Sequence, residues 1–118
     1  AMANWSGKGH DKLLADFKSR FKEPWKPQDS ISTYGDIWIF KEAMEKAGSA
    51  DPKKVAAAIR SFNETGGASR YFPGGRLAFE PNGRRVNSEL VIIQWQNGEP
   101  KTVYPASFAA STAIWPKR

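Results

Sequence analysis

The chain has 118 residues, of which 40% are hydrophobic and 25% are charged, a composition typical of a single globular domain. It contains no cysteine, which excludes disulfide bridges, thiolate metal sites and thiol nucleophiles. The formal net charge of +6 is compatible with nucleic-acid binding, but the basic residues are scattered among acids, which favours an ordinary solvated surface. No apolar run approaches the ~20 residues of a membrane-spanning helix, and no signal peptide is visible.

The N-terminal part of the sequence predicts a leader and one short helix. Residues 1–10 predict a flexible leader, and we expect the single histidine, His10, which ends the polar stretch of residues 6–10, to be exposed to solvent. Apolar side chains recur at helical spacing between residues 12 and 21, at Leu13, Leu14, Phe17 and Phe21. Two prolines then end this helix, and Trp25 lies between them. We interpret Trp25 as a loop anchor that packs on a neighbouring helix, the alternative being a recognition element.

A central helix is predicted from about Tyr34 to Ala47, with Ser30 or Ser32 as alternative N-caps. Four consecutive apolar residues at positions 37–40 make its first turns apolar on every side, which is typical of a buried helix. Gly48 follows the helix and predicts a left-handed C-terminal cap.

A third helix is predicted from Pro52 to about Phe62, because Asp51 suits the N-cap and proline suits the first helical position. Residues 63–75 are rich in glycine and are predicted to be a flexible loop. A phosphate-binding loop is excluded here, since no strand precedes the glycines and no Gly-Lys-Ser/Thr motif follows them.

The remaining sequence predicts β-structure. Residues 76–80 alternate polar and apolar side chains and indicate a strand, which a Pro-Asn-Gly turn ends. Residues 88–96 are apolar on both faces and predict the strongest strand of the chain, a strand that needs cover on both sides. Asn97-Gly98 predicts a two-residue hairpin turn into a returning strand at residues 101–104. The predicted order is three helices, a strand and a hairpin.

Residues for catalysis are missing from this pattern. Catalysis needs a nucleophile with a base, paired carboxylates in a cleft, or a metal. The sequence has no Gly-x-Ser-x-Gly motif, one histidine in the leader, and acids that suit helix capping or the surface. We therefore predict that the protein is not an enzyme and has no catalytic residues, no metal site and no cofactor.

Several segments resemble, in order, the last third of a known family. Residues 34–49 form a Tyr-led apolar segment that ends Ala-Met-Glu-Lys-Ala-Gly-Ser, and residues 51–55 read Asp-Pro-Lys-Lys-Val. Residues 75–83 read Gly-Arg-Leu-Ala-Phe-Glu-Pro-Asn-Gly, and residues 93–98 read Ile-Gln-Trp-Gln-Asn-Gly. Together they resemble the substrate-binding proteins of branched-chain amino acid ABC transporters, which are type I periplasmic binding proteins of the leucine-binding kind.

The resemblance implies an α/β fold that is the C-terminal fragment of a two-lobe protein. After a leader at residues 1–10, residues 11–89 would belong to the first lobe, and residues 90–118 would form the last crossover strand, the hairpin and the tail of the second lobe. Two lobes of ~100–200 residues each would make the whole protein about three times as long as this chain.

The resemblance also implies a ligand site. In such proteins the residues just before the central helix reach the cleft, and here those are Ile31, Ser32 and Tyr34. The alternative is that Ile31 and Tyr34 only fill the core. This chain departs from the family pattern at Gly35, where an aspartate often follows the tyrosine.

By resemblance, the whole protein would bind a branched-chain or other apolar amino acid, or a related aromatic acid, in the periplasm and deliver it to an ABC permease. The export signal would lie outside this chain. The chain alone would bind ligand weakly or not at all. Its central helix and its strand at residues 88–96 expect cover that the chain lacks, so we predict a homo-oligomer.

Two other functions stay open at this stage. One is a small basic nucleic-acid-binding domain. The leading interpretation, a transport binding protein, involves no nucleic-acid partner. A nucleic-acid-binding domain would use the basic and aromatic residues Arg70, Tyr71, Arg76, Arg84 and Arg85. The other is a protein-interaction domain without a small ligand.

Overall fold

The computed structural model describes residues 10–116, so residues 1–9 of the predicted leader at residues 1–10 lie outside the described residues. The helices are α1 (His10–Phe21), α2 (Gln28–Ala47), α3 (Pro52–Arg60) and the short 3₁₀ helix η1 (Gly67–Tyr71). The strands are β1 (Asn63–Glu64), β2 (Leu77–Ala78), β3 (Ile92–Gln96) and β4 (Glu99–Tyr104). The α/β composition and the order of three helices, a strand and a hairpin are therefore confirmed.

The described chain divides into two compact units. Residues 32–89 form one, here called the central unit, while residues 10–31 and 90–116 form the other, the terminal unit. One division falls within helix α2 and the other precedes strand β3. The assignment of residues 11–89 and 90–118 to two lobes stays a prediction.

Helix α2 begins earlier than the sequence predicts. It starts at Gln28, immediately after Pro27, whose carbonyl accepts a hydrogen bond from Ile31 N at 3.3 Å. A proline fits the entry to a helix because its fixed φ suits the first turn. Ser30 and Ser32, the predicted caps, consequently lie inside the helix.

The junction between α2 and α3 is confirmed. Gly48 adopts φ of +57°, and Ser49 N donates to Met44 O at 3.2 Å, which closes the last turn of α2. The Asp51 carboxylate accepts hydrogen bonds from Lys53 N at 3.1 Å and Lys54 N at 3.0 Å at the start of α3.

The core of the central unit lies between α2, α3 and the short strands. Its buried residues are Ala43, Val55, Ala58, Phe62, Ala68 and Leu77. Strands β1 and β2 pair antiparallel through only two residues each, and Phe79 forms one further bridge to Arg85. The predicted flexible loop at residues 63–75 is therefore corrected, since it contains a strand, a 3₁₀ helix and two buried residues, Ala68 and Ser69.

The hairpin of the terminal unit is confirmed, although β3 is shorter than predicted. Strands β3 and β4 pair antiparallel, and Asn97 and Gly98 both have positive φ, as a tight hairpin turn requires. Leu90 and Ile92 are exposed, so this apolar segment lies open in the described structure. Trp25 packs edge-on against Trp95 at 5.1 Å between ring centroids, which makes it an anchor on a strand rather than on a helix.

The prediction of an exposed His10 is wrong. His10 is the first residue of α1, and both it and Lys26 are only 1% exposed. Lys26 Nζ lies 2.7 Å from His10 Nε2. Burial lowers the pKa of Lys26 to about 8, and the nearby Asp11 carboxylate partly opposes this change. The contact joins residues 16 positions apart, so local sequence patterns could not predict it.

Candidate functional site

Three aromatic rings meet in the central unit where the early turns of α2 face η1. Tyr34 and Tyr71 lie edge-on with 5.0 Å between ring centroids, and their hydroxyls share a hydrogen bond. Trp38 lies 6.3 Å from Tyr34 and 6.5 Å from Tyr71. Burial raises the pKa of Tyr71, and the contact with Tyr34 raises it further. The cluster combines apolar ring surface with two hydroxyls, a combination that suits small-molecule recognition.

Gly35 allows the loop after η1 to approach helix α2. A Cβ at this position would lie 2.6 Å from Phe72 Cζ and 3.3 Å from Tyr71 Cβ. Since real Cβ atoms do not approach other atoms so closely, the Phe72 ring occupies the space that a side chain at position 35 would need. The chain therefore has glycine at position 35, instead of the aspartate of the family pattern, because the Phe72 ring leaves no space for a side chain there.

Glu42 holds the start of η1 two turns further along α2. Its Oε1 atom accepts a hydrogen bond from Ala68 N at 2.9 Å. A Cβ at Gly67, whose φ is +55°, would overlap the same carboxylate. One face of α2 thus carries Tyr34, Trp38 and Glu42 at four-residue spacing, and the loop at residues 66–72 packs along it.

A cavity of about 390 Å³ lies beside this cluster in the central unit. Its lining residues are Asp36, Ile39, Phe40, Phe72, Leu77, Phe79 and Arg85. Arg85 donates from Nη2 to Pro73 O at 2.9 Å, and its guanidinium lies 5.5 Å from the Phe72 ring centroid. Among residues 10–116, the buried Nη1 atom of Arg85 has no acceptor. Burial lowers the pKa of Arg85, and Glu89 partly opposes this change.

The residues of the aromatic cluster and the cavity suit the binding of a small molecule. Aromatic rings, two hydroxyls and one guanidinium can recognise an apolar molecule that carries polar groups. Within the described range 10–116, no three His, Cys, Asp or Glu side chains are grouped so that they could hold a metal ion. The helices in the same range are too short or too polar to cross a membrane.

The three predicted ligand-binding residues lie within four positions of one another in helix α2 but differ in burial. Ile31 is buried and belongs to the terminal unit, whereas the half-buried Ser32 and the exposed Tyr34 belong to the central unit. All three lie within α2 rather than before it, which corrects the predicted position. Only Tyr34 joins the aromatic cluster.

The sequence analysis places Tyr71 only in the alternative nucleic-acid-binding set and does not name Phe72, because their loop is predicted to be a flexible connection. The glycine at position 35, where the family pattern often has aspartate, was the one sequence feature that could have indicated a close approach of another segment to helix α2. Of the alternative nucleic-acid set, Arg70 donates to Gly67 O at 2.8 Å and Arg76 to Asn63 Oδ1 at 2.7 Å. These guanidinium groups are thus already engaged within the chain.

Comparisons with a family model and with individual known proteins both match binding proteins. The model of a family described as periplasmic binding protein matches residues 1–100. The leucine-, isoleucine-, valine-, threonine-, and alanine-binding protein of Pseudomonas aeruginosa is 31% identical over 91 residues, which is 76% of this chain and 22% of that protein. Leu/Ile/Val-binding protein homolog 7 of Brucella suis is 24% identical over 109 residues, which is 92% of this chain and 27% of that protein. The chain thus spans about a quarter of the length of these relatives. No solved structure matches it significantly.

Proposed function

The chain belongs to the periplasmic binding protein family, and from this membership we propose that it is the C-terminal portion of the solute-binding component of an ABC importer. The observation that carries the proposal is the family match over residues 1–100 of the 118. The whole protein would bind its solute outside the cytoplasm, in the periplasm, and deliver it to an ABC permease. It would act by binding and release, without catalysis.

The proposed solute is a branched-chain or other apolar amino acid, or a related aromatic carboxylic acid. Support comes from the Pseudomonas aeruginosa relative, whose name states that it binds leucine, isoleucine, valine, threonine and alanine. Ile31, Ser32 and Tyr34 are the proposed ligand-binding residues of this chain. Tyr34 is the best supported of them, because it is exposed and its ring is fixed by Tyr71 and Trp38.

We propose that residues 11–89 belong to the first lobe and residues 90–118 to the second. The boundary between compact units after residue 89 supports this division, whereas residues 10–31 group with residues 90–116. About three quarters of the length of the relatives lies outside this chain, so the chain alone should bind solute weakly or not at all. Alone, it is also expected to self-associate through its exposed apolar residues.

The experiment is a thermal-shift assay on the whole protein from the source gene, with and without this class of solute. Leucine, isoleucine, valine, phenylalanine and benzoate would each be tested, with lysine and glutamate as controls. A solute at 100 times its Kd stabilises the folded protein by about 2.7 kcal/mol, which raises Tm by several degrees. No shift with any apolar solute would contradict the proposed function.

A further inference from the structure

Two nitrogen atoms that can each carry a positive charge meet inside the terminal unit. Lys26 Nζ lies 2.7 Å from His10 Nε2, and both side chains are 1% exposed. His10 begins helix α1, and Lys26 belongs to the segment between α1 and α2. The contact, here called the His–Lys pair, therefore joins the first turn of α1 to the chain that leads into α2.

The His–Lys pair suits one positive charge and not two. At a separation of 2.7 Å, one nitrogen donates a hydrogen and the other accepts it with a lone pair. Lysine is ordinarily the more basic of the two residues, so Lys26 is the charged donor and the Nε2 atom of a neutral His10 is the acceptor. Protonation of His10 would remove this acceptor and bury two positive charges side by side.

The charges around the His–Lys pair do not balance a second proton. The Asp11 carboxylate favours the charged form of Lys26, but burial outweighs it and lowers the pKa of Lys26 to about 8. A carboxylate that does not fully offset burial for one charge cannot do so for two. The remaining charged residues of the terminal unit are exposed or half-buried: Lys12, Asp16, Lys18, Arg20, Lys22, Glu23, Asp29, Glu99 and Lys101.

We propose that the His–Lys pair is an acid-sensitive latch of the terminal unit. At neutral pH, one shared hydrogen holds the start of α1 against the segment before α2. Below about pH 6, where an ordinary histidine becomes charged, protonation of His10 breaks this contact and releases the first turns of α1. The freed segment leads directly into α2, so acid loosens the entry to this helix first.

The direction of the pH dependence follows from the number of bound protons. In the unfolded chain His10 and Lys26 are in water and bind protons independently, whereas the folded pair holds one. Below about pH 6 the unfolded chain therefore binds more protons, and the free energy of unfolding falls as pH falls. At higher pH Lys26 acts with the same sign, because its pKa of about 8 in the folded chain is below the ordinary 10.5.

The test measures hydrogen exchange in the whole protein from the source gene, without solute, at about pH 7.5 and about pH 5. His10→Gln keeps an acceptor for Lys26 but cannot take up a proton. Lys26→Met removes the charge that opposes protonation of His10. Arg20→Gln is the matched control, because it removes an exposed positive charge from the same helix. Amides of α1 report on the latch, and amides of α3 in the central unit are the internal reference.

In the unsubstituted protein, the equilibrium constant for opening of α1 is expected to rise about tenfold from the higher to the lower pH, beyond any rise at α3. Arg20→Gln should show the same rise, Lys26→Met a smaller one, and His10→Gln less than about a twofold rise. A tenfold rise that persists in His10→Gln would overturn the proposal. So would an unsubstituted protein in which α1 opens no more at the lower pH than α3 does.

A second measurement needs no variant that must fold. The latch requires a neutral His10 ring with its hydrogen on Nδ1 at about pH 7.5, and the nitrogen NMR signals of the ring distinguish this form from the charged one. A His10 ring that is already charged at this pH would overturn the proposal. The solute plays no part in either measurement, so the outcome is independent of the proposed function.

Discussion

The two apolar sides of helix α2 differ in how they are covered. On one side, Tyr34, Trp38 and Glu42 contact the loop at residues 66–72, and Gly35 lets the Phe72 ring lie against the helix. On the other side, Ile37, Phe40 and Met44 are exposed. Both sides are apolar in sequence, so hydrophobicity alone does not determine which one the chain covers.

The difference lies in the residues that fix a specific partner. The covered side has a glycine that leaves space, a carboxylate that accepts a backbone hydrogen bond, and a hydroxyl pair. Such features define one arrangement, whereas apolar contact alone is non-directional. The covered side should therefore be sensitive to single substitutions, whereas substitution of the exposed Ile37, Phe40 or Met44 should change the stability of the described chain little.

The largest effect is expected from Gly35→Asp, which introduces the residue that often stands here in the family pattern. The carboxylate would have to displace the Phe72 ring or remain beside it without water, which should cost about 3 kcal/mol in the free energy of unfolding. Urea unfolding measures the change. In a Phe72→Ala background the same substitution should cost less than half as much, because the space is then open.

A cost below about 1 kcal/mol for Gly35→Asp would contradict the packing described for Gly35 and Phe72. An equal cost with and without the Phe72 ring would contradict it as well. In that case the glycine would matter for the helix itself and not for the approach of the loop.

A smaller effect is expected from Glu42→Ala, which leaves the buried Ala68 N–H without its acceptor. The loss should be about 1–2 kcal/mol in the free energy of unfolding. Glu42→Gln is the matched control, because its amide oxygen still accepts the bond and should cost less than about 0.5 kcal/mol. Hydrogen exchange at Ala68 would show whether the amide opens. Equal costs for the two variants would indicate that charge, not the hydrogen bond, holds the loop.

The smallest effect concerns pH and Tyr71. Its folded-state pKa is raised above the ordinary value of 10.0, so above pH 10 the unfolded chain releases this proton before the folded chain does. The folded state then binds more protons, and the free energy of unfolding falls as pH rises. Tyr71→Phe should lack this part of the slope. Identical slopes for both proteins between pH 9 and 11 would argue against the raised pKa of Tyr71.

Features encoded by neighbouring residues were predicted well from sequence. Asp51 caps α3, Gly48 ends α2 and Asn97-Gly98 turns the hairpin, because each acts through backbone conformation within a few residues. The start of α2 was predicted too late, since the serines at positions 30 and 32 are common caps and the proline before Gln28 was interpreted only as a helix stop.

Contacts between distant residues account for the remaining differences. Ala68 is 26 residues from Glu42, and Lys26 is 16 residues from His10, so no periodicity reveals these pairs. Contacts between residues distant in sequence also could not be predicted in the candidate site. Tyr34 was proposed by resemblance, but its ring partner Tyr71 comes from a loop whose composition predicts flexibility.

The most direct test of the account is the mass of the protein in its source. An antibody against the hairpin of β3 and β4 would capture the native species, and mass spectrometry would size it. The account predicts a species about three and a half times the 13.1 kDa of this chain, as in the relatives, that contains this sequence at its C-terminal end. A native species of 13.1 kDa would contradict the proposed binding protein.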